Sequence, residues 1–176
     1  MGSSIKGDQP YQKIEAPAPV GTQPFIINAE GLKLVEYYEG CFLKSYQDSV
    51  GVWTLGLGRI RHDDGTPVGP GETCTQEQAD AWLRSDLERE GAHYVRAWTS
   101  GLNENQFSAL TSFTFNRGAG RLRDLLKMPG KIEDNLLEFD WAGDRNNHLL
   151  GLKRRRRSER ALYLGTDWTI YKGWKP

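Results

Sequence analysis

Within residues 32–58 the hydrophobic spacing changes period, and no single regular element can hold both halves of that stretch. In the first half Leu32, Val35, Glu36 and Glu39 fall near one face by three- and four-residue steps, which predicts an amphipathic helix. Asn28 is placed to cap that helix, and Ile27 with Leu32 makes a candidate hydrophobic staple. After Gly40 the spacing becomes an alternation. Residues 44–47 read as extended, and residues 52–58 set Val, Thr, Gly and Gly on one face against Trp, Leu and Leu on the other. Between them Asp48-Ser49-Val50-Gly51 has Asp first and Gly fourth, as a type I turn prefers. The stretch predicts a helix running directly into a β-hairpin, with the remaining chain built as helices around it.

Three residues of this stretch could carry chemistry. Glu39 extends the apolar stripe, and a partly buried carboxyl favours the protonated form that a general acid needs. A last-turn Glu that bends out to solvent fits the helix position equally well. Asp48 reads either as a working carboxylate or as the former of its own turn. Thr54 is β-branched and needs no functional cause in a strand. Gly56 and Gly58 beside it leave a small-residue face on which a bulky ligand could approach the backbone.

Taken together, Glu39-Gly40, Asp48 and Thr54, spaced Glu-x8-Asp-x5-Thr and followed by Leu55-Gly56-Leu57-Gly58, resemble the signature of phage-type lysozymes, glycoside hydrolase family 24. The resemblance covers residues 30–165. It implies an α+β, mostly helical, lysozyme-like fold: a small β-hairpin lobe and a larger helical lobe joined by a long helix, with a cleft between them. It also implies a muramidase that cleaves the β-1,4 bond between N-acetylmuramic acid and N-acetylglucosamine in peptidoglycan. Glu39 would be the acid, and Asp48 with Thr54 would hold the attacking water. Family precedent points to inversion, which expects the carboxyls about 6.5–9.5 Å apart. The competing reading is a lysozyme-shaped wall-binding or structural module without turnover.

The same resemblance reaches further along the chain. Phe115-Asn116-Arg117-Gly118 is similar to a segment lining the cleft, so Phe115 would stack on a sugar and Asn116 would bond an N-acetyl or hydroxyl group. Read without it, Asn116 is a helix-end cap. Residues 151–159 are similar to a Gly-Leu-x-x-Arg-Arg-x-x-Glu helix, in which Arg155 or Arg156 would pair with Glu39; both stay open. Arg59 stands where family members commonly have His. Trp141 is assigned to the core.

Several helices are marked by their ends. Thr75-x-x-Gln78 opens a long helix from Gln76 to about Trp98, interrupted at Gly91, and Asn103 with Gln106 opens the next, which Gly118 stops. Shorter helices follow over residues 122–128 and 132–141, and an aromatic tail over 166–176 covers the helical lobe.

At 176 residues the chain suits one catalytic domain, residues 26–176, preceded by an extended arm, residues 1–25, that holds four of the eight prolines. The arm begins Met1-Gly2-Ser3-Ser4, like an expression-vector start, and the chain could be part of a larger polypeptide. Formal net charge is zero, so the basic run 153–157, with no aromatic interleaved, is a weak nucleic-acid signal, and its outer arginines are expected in solvent. No apolar run approaches ~20 residues, which argues against a membrane span, and residues 1–25 lack a signal-peptide core. A monomer acting on the bacterial wall or periplasm is expected, delivered by a holin or a secretion system. If it is an antibacterial effector, an immunity or inhibitor protein is a candidate partner. Cys41 and Cys74 are expected to be reduced. His62, His93 and His148 lack ligand spacing, so neither a metal nor a cofactor is expected.

Overall fold

Side-chain caps set where the helices begin. Asn28 Oδ1 accepts from the Gly31 amide at 2.9 Å and opens α1, Ala29–Glu39. Thr75 and Gln78 cap each other reciprocally at the start of α2, Gln76–Leu87, and Asn103 and Gln106 do so at the start of α4, Glu104–Arg117. The computed structural model describes residues 25–48, 50–143 and 146–175. The arm predicted over residues 1–25 lies, apart from Phe25, outside them, as does Ser49.

Helix α1 ends at Gly40, whose φ of 75° sends the chain straight into a two-stranded antiparallel sheet, β1 Phe42–Gln47 and β2 Trp53–Gly56. Tyr46 pairs with Thr54 and Gln47 with Trp53, and the register is irregular between Phe42 and Tyr46. The predicted turn forms: the Gly51 amide donates to the Asp48 carbonyl at 3.0 Å, with Gly51 at φ 83°. Residues 59–72 add only isolated bridges, such as Arg61 with Pro67, and form a loop.

The long helix is composite. After α2 comes a π-helical turn, Glu88–Ala92, and then α3, His93–Trp98. A β-carbon on Gly91 would stand 2.8 Å from the Thr111 carbonyl oxygen, so the missing side chain is what lets this helix lie against α4. Gly31 does the same for α1, where a β-carbon would meet Ile27 and Ser108 at 2.7 Å.

Every residue of α4 from Phe107 to Thr114 is buried, so it behaves as a central helix and not as a surface one. Leu34, Phe107, Leu110, Phe113, Leu122, Leu125, Leu136 and Leu162 form the main core around it. These come from α1, α4, α5 Ala119–Lys127, the 3-10 turn Leu136–Phe139 and α7 Leu150–Tyr163. The segment expected as one helix over 132–141 is a four-residue α6, Ile132–Asn135, running into that 3-10 turn. A second core of Ile27, Leu32, Val35, Leu83 and Leu87 joins α1 to α2, and a third, Leu55, Val68, Cys74 and Ala79, seats the hairpin on α2. The tail closes over α1: Trp168 is buried and donates through Nε1 to Glu30 Oε2 at 3.1 Å. Among the described residues no helix is long and apolar enough to cross a membrane.

Gly91→Ala and Gly120→Ala separate packing from helix propensity. The first should destabilise by about 1–3 kcal/mol through overpacking against the α4 backbone, outweighing the ~1 kcal/mol that Ala gains as a helix former. Gly120, in α5, has open space where a β-carbon would go. That substitution should stabilise by up to about 1 kcal/mol, both being read from denaturant midpoints.

Candidate active site

Helix α7 carries residues 154–157, all arginine, and the fold turns two of them inward. Arg155 is 3 % exposed and donates from Nη1 to Glu39 Oε1 at 2.5 Å. Of the two candidates, Arg155 is the partner of Glu39. Arg156, fully buried, instead donates from Nη2 to Asn116 Oδ1 at 2.8 Å and to Glu159 Oε1 at 3.0 Å. Glu159 is also fully buried; its Oε1 accepts from Arg155 Nε at 3.3 Å and from the Ser112 hydroxyl at 2.8 Å. Glu39 is thus the outer end of a chain of charges that runs through Arg155 and Glu159 to Arg156. Burial pushes the Arg156 guanidinium down to about 10, with Glu159 opposing that shift.

The Glu39 side chain itself keeps 30 % exposure. On this face of α1 the burden of burial falls one turn earlier. Glu36 is held above the usual carboxylate range, first by burial and then by the nearby Asp80 carboxylate, with Arg84 partly offsetting both. Tyr38, between them, shares a 2.8 Å hydrogen bond with Ser158, and Arg155 lies 5.6 Å over its ring.

Asp48 sits at the hairpin turn and is half-buried. Its Oδ1 accepts from the Val50 and Val52 amides, both at 2.9 Å, so one carboxylate oxygen builds the turn. Among the described residues Oδ2 accepts no hydrogen bond. Thr54 is buried three residues past Gly51, and its hydroxyl donates to the Val52 carbonyl at 3.2 Å. That bond is directed along its own strand and not to Asp48.

The small-residue face differs from expectation. A β-carbon on Gly56 would meet Trp82 at 3.5 Å and Ala79 at 3.7 Å, so this glycine backs onto α2. Gly58 is exposed with open space beside it. Both have positive φ, 64° and 93°, which lets Leu55 and Arg59 exchange backbone hydrogen bonds at 2.8 and 3.0 Å around a tight loop. Phe115 packs on the core between α1 and α2, and the Asn116 side-chain oxygen is taken by Arg156. Arg59 lies 4.8 Å over the Trp82 ring of α2 and bonds Asp63 at 2.6 Å, which ties the loop after the hairpin to that helix. The outer arginines of α7, expected in solvent, are engaged as well: Arg154 with the Trp174 carbonyl, Arg157 over the Trp174 ring and Arg160 with Asp134. Cys41 and Cys74 are free thiols, both pushed up by burial.

Sequence reasoning did not single out Glu159. The signal was present, since Glu159 follows Arg155 by four residues and Arg156 by three, the spacings at which helical side chains meet.

Residues 36–159 match the family model for phage lysozyme. The chain is 36% identical over 146 residues to an endolysin of Acyrthosiphon pisum secondary endosymbiont phage 1, an alignment covering 78% of this chain and 97% of that protein. It is 37% identical over 145 residues to an endolysin of Salmonella phage P22, with the same two coverages. Among solved structures, an endolysin from Escherichia coli O157:H7 phage FAHEc1 aligns with a TM-score of 0.67 at 31% identity, over 84% of this chain and 96% of that one. The muramidase domain of SpmX from Asticaccaulis excentricus aligns with a TM-score of 0.65 at 29% identity, over 80% and 98%.

Glu159→Gln should cost about 3–5 kcal/mol in chemical denaturation, because it leaves two buried guanidiniums short of their counter-charge. Glu36→Gln should act oppositely. The folded state binds a proton at Glu36 more tightly than the unfolded chain does, so this group lowers stability as pH rises above the ordinary carboxylate range. The Gln variant should therefore unfold later than the parent at pH 7, and the gain should vanish below about pH 4.

Proposed function

The chain belongs to the phage lysozyme family, and from that premise we propose that Glu39, Asp48 and Thr54 carry out its reaction, the hydrolysis of bacterial peptidoglycan. The bond cleaved is the β-1,4 link between N-acetylmuramic acid and N-acetylglucosamine. What most supports this assignment is the anchoring of Glu39: Arg155, itself buried and gripped by Glu159, fixes one carboxylate oxygen at 2.5 Å. The second oxygen is left to face the glycosidic oxygen and deliver a proton to the leaving sugar. When Glu39 carries that proton, Arg155 keeps Glu159 as an anionic partner, so the helix retains a counter-charge at this position.

Asp48 acts from the hairpin side. Its Oδ1 is committed to the turn, which fixes the orientation of the carboxylate, and Oδ2 takes the proton of the attacking water. Thr54, on β2, contributes a lone pair to the same water, its own proton being directed to Val52. Attack from the face opposite the leaving group inverts the anomeric carbon. Gly58 leaves room for the glycan backbone beside this strand and Gly56 backs onto α2, while Phe115 stacks on a sugar and Asn116, its oxygen held by Arg156, offers its amide N–H to an N-acetyl or hydroxyl group. Residues 26–176 are the catalytic unit in this reading and residues 1–25 its arm. The enzyme works as a monomer on the cell wall, reached through a holin or a secretion system.

Clearing of purified peptidoglycan should fall by about 10²–10⁴-fold in Glu39→Gln, the range expected for losing a positioned general acid. The variant should keep the parent's unfolding midpoint to within a small fraction of that effect, and Asp48→Asn should lose activity comparably. Equal clearing by the parent and Glu39→Gln would overturn the assignment of the acid. Binding of peptidoglycan by the parent without any hydrolysis would favour the non-hydrolytic wall module.

A further inference from the structure

A cavity of about 150 Å³ opens between α7, the 3-10 turn at Leu137 and the tail at Trp174, walled by Leu137, Asp140, Lys153, Arg156, Arg157 and Trp174. Neither Glu39, Asp48 nor Thr54 contributes to it. Three of its six wall residues are cationic and one is anionic. The anion, Asp140, is already engaged: it is paired with His148, and its other oxygen stands 4.0 Å from Lys153 Nζ. The cations are less well answered. Arg156 is fully buried, and although Nη2 is shared by Asn116 and Glu159, Nη1 has no hydrogen-bond partner. Buried guanidinium nitrogens are ordinarily satisfied, so an unpartnered one on a residue that lines a cavity makes that residue a candidate partner for an acceptor. Arg156 titrates near 10 and so stays cationic at neutral pH, which keeps that demand in force.

The remaining wall is held in place by its own contacts. Arg157 lies 4.2 Å over the Trp174 ring, and the Trp174 carbonyl accepts from Arg154 Nε at 2.5 Å. At ~30 Å³ per water the space takes roughly five waters, enough for a small anion with part of its hydration shell. We propose that this cavity binds a small oxyanion, a phosphate or carboxylate group, with Lys153, Arg156 and Arg157 as its cationic partners. Guanidinium groups suit both acceptors because their paired N–H groups match two oxygens at once.

The test reads binding and not hydrolysis, so its outcome is independent of the roles given to Glu39 and Asp48. The full chain is titrated calorimetrically with inorganic phosphate and, separately, with acetate, with ionic strength fixed by sodium chloride. Saturable one-to-one binding is expected, weakened at least tenfold (~1.4 kcal/mol) in Lys153→Met and in Arg157→Met. Arg123→Met, an exposed charge on α5 away from the cavity, should bind as the parent does. Tighter phosphate than acetate identifies a phosphate-bearing ligand, and the reverse order a carboxylate. Lys153 is partly exposed, so its variant keeps the test intact if Arg157→Met disturbs Trp174. Heat that fails to saturate with either anion would overturn the proposal, as would parent-like affinity in both cavity variants or an equal loss in Arg123→Met.

Discussion

Two guanidiniums buried on consecutive residues of one helix are the constraint around which the helical lobe is arranged. Arg155 and Arg156 point in directions about 100° apart, as neighbours on an α-helix must. No single residue on a facing helix could answer both. The solution is internal to α7, where Glu159 lies one turn on and reaches back to each of them. Part of what Glu159 leaves over is met from outside, by Glu39 at the end of α1 and by Asn116 at the end of α4. Desolvating charge is costly, and such a cluster is tolerated only when pairing and hydrogen bonds are nearly complete. The positions of α1 and α4 relative to α7 are thereby tied to the cluster. Two polar residues of α4 meet polar groups of other helices: Ser112 donates to Glu159 in the cluster, while Ser108 accepts from the Asn28 amide at the start of α1.

Local features were legible in the sequence because their physics is local. A cap needs only an acceptor side chain and the free amides within three residues, so Asn28, Thr75 and Asn103 could be read directly. The turn at Asp48 and Gly51 is of the same kind. The helix-to-hairpin switch was visible as a change of period, and the resemblance to phage-type lysozymes carried the rest of the lysozyme-like architecture.

Features decided by a distant partner were not legible. Arg155 and Arg156 are equivalent as sequence, and only the position of α1 distinguishes them. Gly91 read as a weak spot in a helix, whereas its cause is the carbonyl of Thr111 twenty residues away. The outer arginines of α7 read as a solvated face because their partners, Trp174 and Asp134, lie on other segments whose approach to α7 no local pattern records. Gly56 read as an opening toward ligand because alternation assigns faces but does not say which face a neighbouring helix will cover.

The two proposed reaction carboxylates are held by unlike means. Asp48 is oriented by amides within four residues of itself, so its direction is a property of the hairpin alone. Glu39 is oriented by Arg155, 116 residues on, so its direction is a property of the assembled helical lobe. Between Glu39 and the first strand stand only Gly40 and Cys41. A residue anchored to the larger lobe therefore sits at the covalent root of the smaller one. The hairpin cannot shift its base without pulling on an ion pair whose inner end is buried. That arrangement lets a hairpin of two short strands, too small to be rigid by its own pairing, carry a carboxylate whose position is still referred to the core of the molecule.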